Sequence, residues 1–261
     1  MNNEIAALTR LAAHAKTLRL FLDYDGTLAE FAASPETVTP DKEVIALLNR
    51  LVSANGVLPA IISGRRLAQV STLLPVRGLL LGGTYGIEMQ LPDGRLRTTL
   101  PFEQVRPTLE RLLPHWQALI LGHEGFFLED KGWSLALHAR FALPEDAASV
   151  MAAARIEAQG IQAGDIIRLQ GNDRFLELAP RVSNKAATVQ WILDEITPDD
   201  ALIIYLGDDD KDEEAFSAVL AAGGWAVRVT AEPTITRAQV CLHDPIQVRA
   251  WLGELLAVRG G

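Results

Sequence analysis

Asp23 and Asp25 stand one residue apart in Asp23-Tyr24-Asp25-Gly26-Thr27, directly after the apolar run Leu18-Arg19-Leu20-Phe21-Leu22. On a strand, residues i and i+2 point the same way, and a Gly just past the strand lets the backbone bend so that both carboxylates reach one bound group. Such a pair suits phosphoryl transfer: one carboxylate attacks phosphorus while the other moves a proton. Asp-Gly by itself reads as a hairpin turn. The residues that follow, Leu28-Ala29-Glu30-Phe31 and Ser34-Pro35-Glu36, are neither an alternating return strand nor a tight two-residue loop.

A second apolar run, Ala201 to Leu206, empties into Gly207-Asp208-Asp209-Asp210-Lys211-Asp212-Glu213-Glu214. Acidic residues favour a helix N-terminus, yet three consecutive carboxylates at a strand's end exceed what a cap requires. Hard divalent cations take oxygen ligands, and Mg²⁺ binds through one or two carboxylates plus substrate phosphate. An EF-hand is excluded, because the loop lacks a Gly at its sixth position and the late bidentate Glu. Leu58 to Ile62 leads into Ser63-Gly64-Arg65, a hydroxyl and backbone N–H groups where a helix is expected to begin, which suits a phosphate. Ser-Gly is also common punctuation between strand and helix. Lys185 opens an amphipathic pattern running to Leu193. Most such lysines are solvated; as the only cation near this acidic set, Lys185 becomes a candidate phosphate ligand.

These motifs need a scaffold that brings strand ends together. Apolar strand candidates alternate with helical patterns: strand 18–22, helix 40–53, strand 57–62, helix 65–74, strand 78–82, then helix 186–196, strand 201–206, helix 212–222 and strand 225–229. Such alternation predicts an α/β fold with a doubly wound, mostly parallel sheet, whose ligands sit beyond the carboxyl ends of the strands. Between Pro101 and Pro180 the order changes to α-β-β-α-β-β, with helical stretches at 103–119 and 144–159 and strand-like runs at 125–129, 134–141, 166–170 and 174–178. The expected division is therefore a catalytic core of residues 1–100 and 181–261, interrupted by a smaller α+β cap of residues 101–180. Strand parity places Glu129 with Lys131, and His138 with Arg140, on common faces. From parity alone they are ordinary surface alternation.

The chain is long enough for one large or two small domains, and 49% apolar residues supply a core. The net charge of −9, with no Lys/Arg run, opposes nucleic acid and anionic membranes, which need clustered cations. A metal can still invert the field inside one pocket. Cys241 is the single cysteine, so no intramolecular disulfide can form and a reducing cytosol is the natural home. No apolar stretch approaches the roughly 18 residues of a membrane span, and Met1 to Lys16 lacks the charged-then-apolar order of a signal peptide. A cytoplasmic, monomeric enzyme is expected. The five Trp form no stacking cluster, and Gly82-Gly83 lacks nucleotide-binding spacing.

In this order, Asp-x-Asp-Gly-Thr, Ser-Gly-Arg, Lys and Gly-Asp-Asp-x-x-Asp resemble the four motifs of haloacid-dehalogenase-type phosphatases. The stretch Phe127 to Arg140, with Glu129, Lys131, His138 and Arg140, and the segment Phe175-Leu176-Glu177-Leu178-Ala179-Pro180 are similar to those of trehalose-6-phosphate phosphatases. Gly207 to Phe216, Thr236, Ala238 and Asp244-Pro245 match that family's signature and tail. Three positions depart from the pattern: Tyr85 stands where a His is usual, Ala179 where an Arg is usual, and Ala186 where a Gly follows the Lys.

The resemblance implies a core with an inserted C2-type cap and Mg²⁺-dependent hydrolysis of trehalose 6-phosphate, a step of trehalose biosynthesis. It implies Asp23 as nucleophile, Asp25 as acid and base, and Ser63 and Lys185 as phosphate ligands. Metal ligation falls to Asp23, the Asp25 carbonyl and Asp208, with Asp209 in support. Substrate binding falls to Gly64, Arg65, Glu129, Lys131, His138, Arg140 and Glu177. The alternatives are another sugar phosphate, such as sucrose phosphate or a glycosylated polyol phosphate, a phospho-accepting receiver domain, and a noncatalytic sugar-binding relic. A receiver lacks the second Asp two residues on and needs no such insertion.

Overall fold

A computed structural model describes residues 3–30, 38–161 and 166–260; Phe31 and Ser34-Pro35-Glu36 lie outside them. The chain divides into two compact units, Met1–Thr98 with Asn184–Gly261, and Thr99–Ser183.

In the first unit, α1 (Asn3–His14) precedes β1 (Leu18–Leu22), α2 (Lys42–Ser53), β2 (Val57–Ile62), α3 (Leu67–Leu73), β3 (Leu80–Gly83), β4 (Glu88–Gln90) and β5 (Leu96–Thr98). All five residues of β1 are buried, as a strand covered on both faces requires. Leu18, Leu20 and Leu22 pack on one face with Val44, Leu48 and Leu51 of α2, while Phe21 packs on the other. Each of those α2 side chains contributes roughly 1.5–3 kcal/mol by leaving water. Asp41 caps α2 by accepting from the N–H groups of Glu43 and Val44, a contribution of about 1 kcal/mol.

The second unit, inserted after β5, runs α4 (Arg106–Ile120), β6 (Phe127–Asp130), β7 (Leu135–His138), α5 (Pro144–Ile161), β8 (Ile167–Asn172) and β9 (Phe175–Pro180). Its four strands form an antiparallel sheet ordered β6-β7-β9-β8. The Trp116 indole of α4 donates to the Ala154 carbonyl of α5 at 3.0 Å, fixing the two helices together.

The chain then completes the first unit with α6 (Lys185–Ile196), β10 (Leu202–Gly207), α7 (Asp210–Ala221), β11 (Trp225–Val229), β12 (Val240–Leu242) and α8 (Pro245–Arg259). The eight strands order as β12-β11-β10-β1-β2-β3-β4-β5. Every pairing from β12 to β3 is parallel, and only β4 and β5 run antiparallel. Helices α1, α2, α3 and α8 bury apolar residues in one face cluster, α6 and α7 in the other. The doubly wound parallel sheet is thus borne out.

Candidate active site

Neighbouring strands β10, β1, β2 and β3 end at Gly207, Leu22, Ile62 and Gly83, so Asp208, Asp23, Ser63 and Tyr85 follow adjacent strand ends on one rim of the sheet. Asp23 N–H donates to the Leu206 carbonyl at 3.0 Å, which extends the β1–β10 ladder to the carboxylate. Gly26 has φ 78°, the left-handed conformation in which a glycine carries little strain.

Lys185 sits at the first position of α6, whose N-terminus is capped by Asn184 through the N–H groups of Ala186 and Ala187. Its side chain is only 2% exposed. The ammonium lies 3.2 Å from Asp23 Oδ1, 2.6 Å from Asp212 Oδ1 and 3.9 Å from Asp209 Oδ1. Burial alone would lower its pKa; Asp212, Asp23 and Asp209 overcome that and raise it, so it remains a cation. Burial pushes the Asp23 carboxyl well above the ordinary range, with Asp212, Asp208 and Asp209 adding and Lys185 opposing. Asp208 is pushed up to about 7 by burial, then by Asp212 and Asp209. The rim therefore holds a surplus of negative charge that one lysine does not balance.

Asp23, Asp208 and Asp212 offer oxygens within 4.8 Å of one another. A set of hard oxygen donors with surplus negative charge fits a divalent cation. The three are not equivalent. Asp212 accepts four hydrogen bonds, from Lys185 Nζ (2.6 Å) and Tyr205 Oη (2.7 Å) on Oδ1, and from the N–H groups of Asp208 (3.0 Å) and Asp209 (3.1 Å) on Oδ2. It is thereby fitted to hold Lys185 and the loop. Asp208 receives one hydrogen bond, from Thr27 Oγ1 at 3.1 Å. Asp209 caps α7, accepting from the N–H groups of Lys211 and Asp212.

Asp25 and Arg65 form a two-pronged ion pair, Nε to Oδ2 at 2.7 Å and Nη2 to Oδ1 at 2.6 Å. Arg65, expected to touch substrate, has the second carboxylate as a partner. Ser63 is buried, and its Oγ accepts from Arg65 N–H at 3.1 Å. Gly64 is required by close approach: a Cβ there would meet Tyr85 Oη at 2.8 Å.

Thr84 and Tyr85 have φ 49° and 58°, the only non-glycine residues with positive φ among those described. Left-handed backbone costs about 1–2 kcal/mol per such residue. Thr84 N–H donates to Arg65 O (2.7 Å), Tyr85 N–H to Ser63 O (2.8 Å), and Thr188 Oγ1 to Tyr85 O (2.7 Å). Lys211 donates to Tyr85 Oη and lies 4.2 Å from the ring centroid. A cation–π contact contributes about 0.5–1 kcal/mol at a partly exposed site, in addition to the hydrogen bonds that hold the turn.

The second unit carries its own polar cluster. Across its sheet, Glu129 pairs with Ala136, Ala136 with Glu177, and Glu177 with Gln170, a row in which the polar side chains flank the small, buried Ala136. Glu177 is fully buried; Oε1 accepts from Lys131 Nζ (3.3 Å) and Ser134 Oγ (2.9 Å), Oε2 from Gln170 Nε2 (3.0 Å). Glu129 lies 3.7 Å from Lys131 Nζ and 3.3 Å from His138 Nε2. Burial would raise its pKa, but the His138 hydrogen bond and Lys131 hold it below the usual value. Arg140 is not brought to this cluster. Strand β7 ends at His138, and Arg140 lies exposed in the following turn, 5.8 Å from the Phe141 ring.

Asp212, Tyr205, Thr27, Ser134, Gln170 and Lys211 are site residues that the amino-acid sequence does not single out. Asp212 and Thr27 carry a signal, as the last Asp of Gly-Asp-Asp-x-x-Asp and the Thr of Asp-x-Asp-Gly-Thr; Tyr205, Ser134, Gln170 and Lys211 are placed only by the pairing of elements in the fold.

A family model described as trehalose-phosphatase matches residues 21–239. The trehalose-phosphate phosphatases of Mycobacterium marinum and Mycobacterium ulcerans are each 31% identical over 243 residues, 90% of this chain and 60% of theirs; the chain spans 60% of the length of these curated relatives. In fold, it is similar to the C-terminal domain of C. albicans trehalose-6-phosphate phosphatase, with a TM-score of 0.82 at 20% identity over 99% of this chain and 98% of that one. The trehalose-6-phosphate phosphatase of Aspergillus fumigatus gives 0.70 at 24% identity, covering 97% of each chain. Since the matched residues take in the acidic rim and the whole inserted unit, the chain belongs to the trehalose-phosphatase family.

Proposed function

We propose that this chain is a Mg²⁺-dependent phosphomonoesterase that releases trehalose and phosphate from trehalose 6-phosphate. The observation that carries the reading is the buried Lys185, held between Asp23 and Asp212 at the rim where strand-end motifs meet. Asp23 attacks phosphorus, and the bond from phosphorus to the sugar oxygen breaks as Asp25 gives that oxygen a proton. Asp25 then takes a proton from water, whose oxygen displaces phosphate from Asp23. Lys185 and Ser63 balance charge on the transferring oxygens, Gly64 leaves space beside them, and Arg65 orients Asp25 between the two steps.

Asp23, Asp208 and the Asp25 carbonyl would hold Mg²⁺, with Asp209 supporting the loop. The ion would supply charge neutralisation at the phosphoryl group. Glu129, Lys131 and His138 are suited to sugar hydroxyls, with Glu177 holding Lys131 in place and Arg140 adding an exposed donor. In this reading the unit 101–180 is the cap that selects the sugar and the rest is the catalytic core.

No described helix is long and apolar enough to cross a membrane, and the acidic balance disfavours nucleic acid. We place the protein in the cytoplasm, acting as a monomer on a small sugar phosphate. Tyr85, which departs from the His that the family resemblance implies at its place, favours one second reading, the same chemistry on another sugar phosphate. Phosphate release across a panel of sugar phosphates, with and without EDTA, tests both. Highest kcat/KM on trehalose 6-phosphate and silence in chelator are expected. Full activity in chelator would remove the metal from the mechanism.

A further inference from the structure

Tyr85 and Lys211 come from chain segments far apart, the turn after β3 and the first turn of α7, yet they meet beside Ser63-Gly64. The turn is left-handed at two consecutive non-glycine residues, and three hydrogen bonds from neighbouring elements hold it there. Its conformation is set by the surroundings, and its result is to lay the buried phenol over Gly64. Left-handed non-glycine backbone of this kind persists only where the surroundings over-determine it, and it clusters at ligand clamps and active sites. Lys211 is tied to the phosphate machinery as well: its N–H donates to Asp209 Oδ1 at 2.9 Å, and that oxygen faces Lys185.

We propose that Tyr85 and Lys211 form a clasp that reads the leaving group next to the phosphoester, favouring polyol phosphates with a hydroxyl one or two carbons from the ester oxygen. The inference rests on the phosphatase reading above. An ammonium offers only donors, so the clasp presents positive charge and a polar edge to lone pairs of hydroxyl oxygens. An aryl leaving group has nothing for it to hold. Tyr85 and Lys211 are specificity residues; bond breaking stays with Asp23 and Asp25.

The test compares the full-length protein with Tyr85→Phe, Lys211→Met, the double variant and Lys211→Arg. Each is assayed on the wild type's best sugar phosphate and on p-nitrophenyl phosphate, with Asp23→Asn in parallel. For Tyr85→Phe and Lys211→Met, kcat/KM on the sugar ester should fall about tenfold more than on the aryl ester, mainly through KM. The double variant should lose little beyond the worse single, and Lys211→Arg should recover part of the loss. Thermal melts show whether each variant folds; Lys211 is half-buried on a helix, so Lys211→Met decides the matter if Tyr85→Phe misfolds. Equal losses on both esters, or none, while Asp23→Asn is dead, overturn the clasp alone. An active Asp23→Asn overturns the phosphatase reading beneath it.

Discussion

Each unit sets a lysine among carboxylates, Lys185 buried and Lys131 half-buried, and the two clusters balance their charge differently. Around Lys185 stand Asp23, Asp209 and Asp212 with Asp208 close by, and Asp208 is pushed up to about 7 by burial first and by Asp212 and Asp209 second. Around Lys131 stand Glu129 and Glu177, with His138 as a further partner for Glu129; Glu129 stays below its ordinary value. The first cluster is incomplete without more positive charge, which suits a cation and a phosphoryl group. The second carries a smaller surplus, two carboxylates against one lysine, and a weaker net field is the better match for neutral hydroxyls, because a strong one would favour ions.

The sharpest way to break this comparison is Asp23→Asn, which removes the attacking oxygen while keeping size. Turnover should drop by at least ~10³-fold on every ester, with an unchanged circular dichroism spectrum. Near-normal phosphate release would show that the rim is not the reaction centre.

Removing the lysines tests the charge balance directly. Lys185→Met leaves buried carboxylates without their cation and should destabilise the fold by about 3–5 kcal/mol in urea titrations. Lys131→Met should cost less, roughly 1–3 kcal/mol, because fewer carboxylates lose their partner. Equal losses would mean that the two clusters are electrostatically alike.

Next in size is selectivity. Glu129→Ala should reduce hydrolysis of the sugar ester roughly 10- to 100-fold more than that of p-nitrophenyl phosphate. Arg140→Ala, exposed and apart from the cluster, should have the smaller effect; the reverse order would mean the turn, not the sheet face, reads the sugar.

The smallest expected effect is on pH. A cation at Asp208 must displace its proton, so Mg²⁺ affinity measured by calorimetry should weaken as pH falls below about 7, with the Asp208 proton alone contributing up to about tenfold per pH unit. Asp208→Asn should flatten that slope.

The rim is largely legible in the amino-acid sequence because strand-to-loop transitions mark it: β1, β2 and β11 begin and end where the apolar runs do. Strands β4 and β5, three residues each, are too short for alternation to register, and β12 and α8 likewise escape the pattern. Partnerships across long separations leave no mark in it. Arg65 faces Asp25 only because β1 and β2 are neighbours, and Asp212 reaches Lys185 only because α6 and α7 pack together. The expectation that His138 and Arg140 share a strand face fails because the ladder stops at His138, where Ala142 N–H closes a turn on Ala139 O.

Strand β1 is hydrogen-bonded on one side to β2, close in sequence, and on the other to β10, which arrives only after the whole inserted unit. This connectivity sets a timetable for folding. The entropic penalty of closing a loop grows only as about (3/2)RT ln n, so the long detour is tolerable, but such pairing is slow to form. During synthesis, β1, β2 and β3 can assemble early, whereas Lys185, Asp208 and Asp212 join only after the inserted unit has been made. A chain halted before β10 would expose the flank of β1 as an unpaired edge, the kind of surface that recruits other strands. In the proposed reading, phosphatase activity is therefore also a report that α6, β10 and α7 have docked on β1.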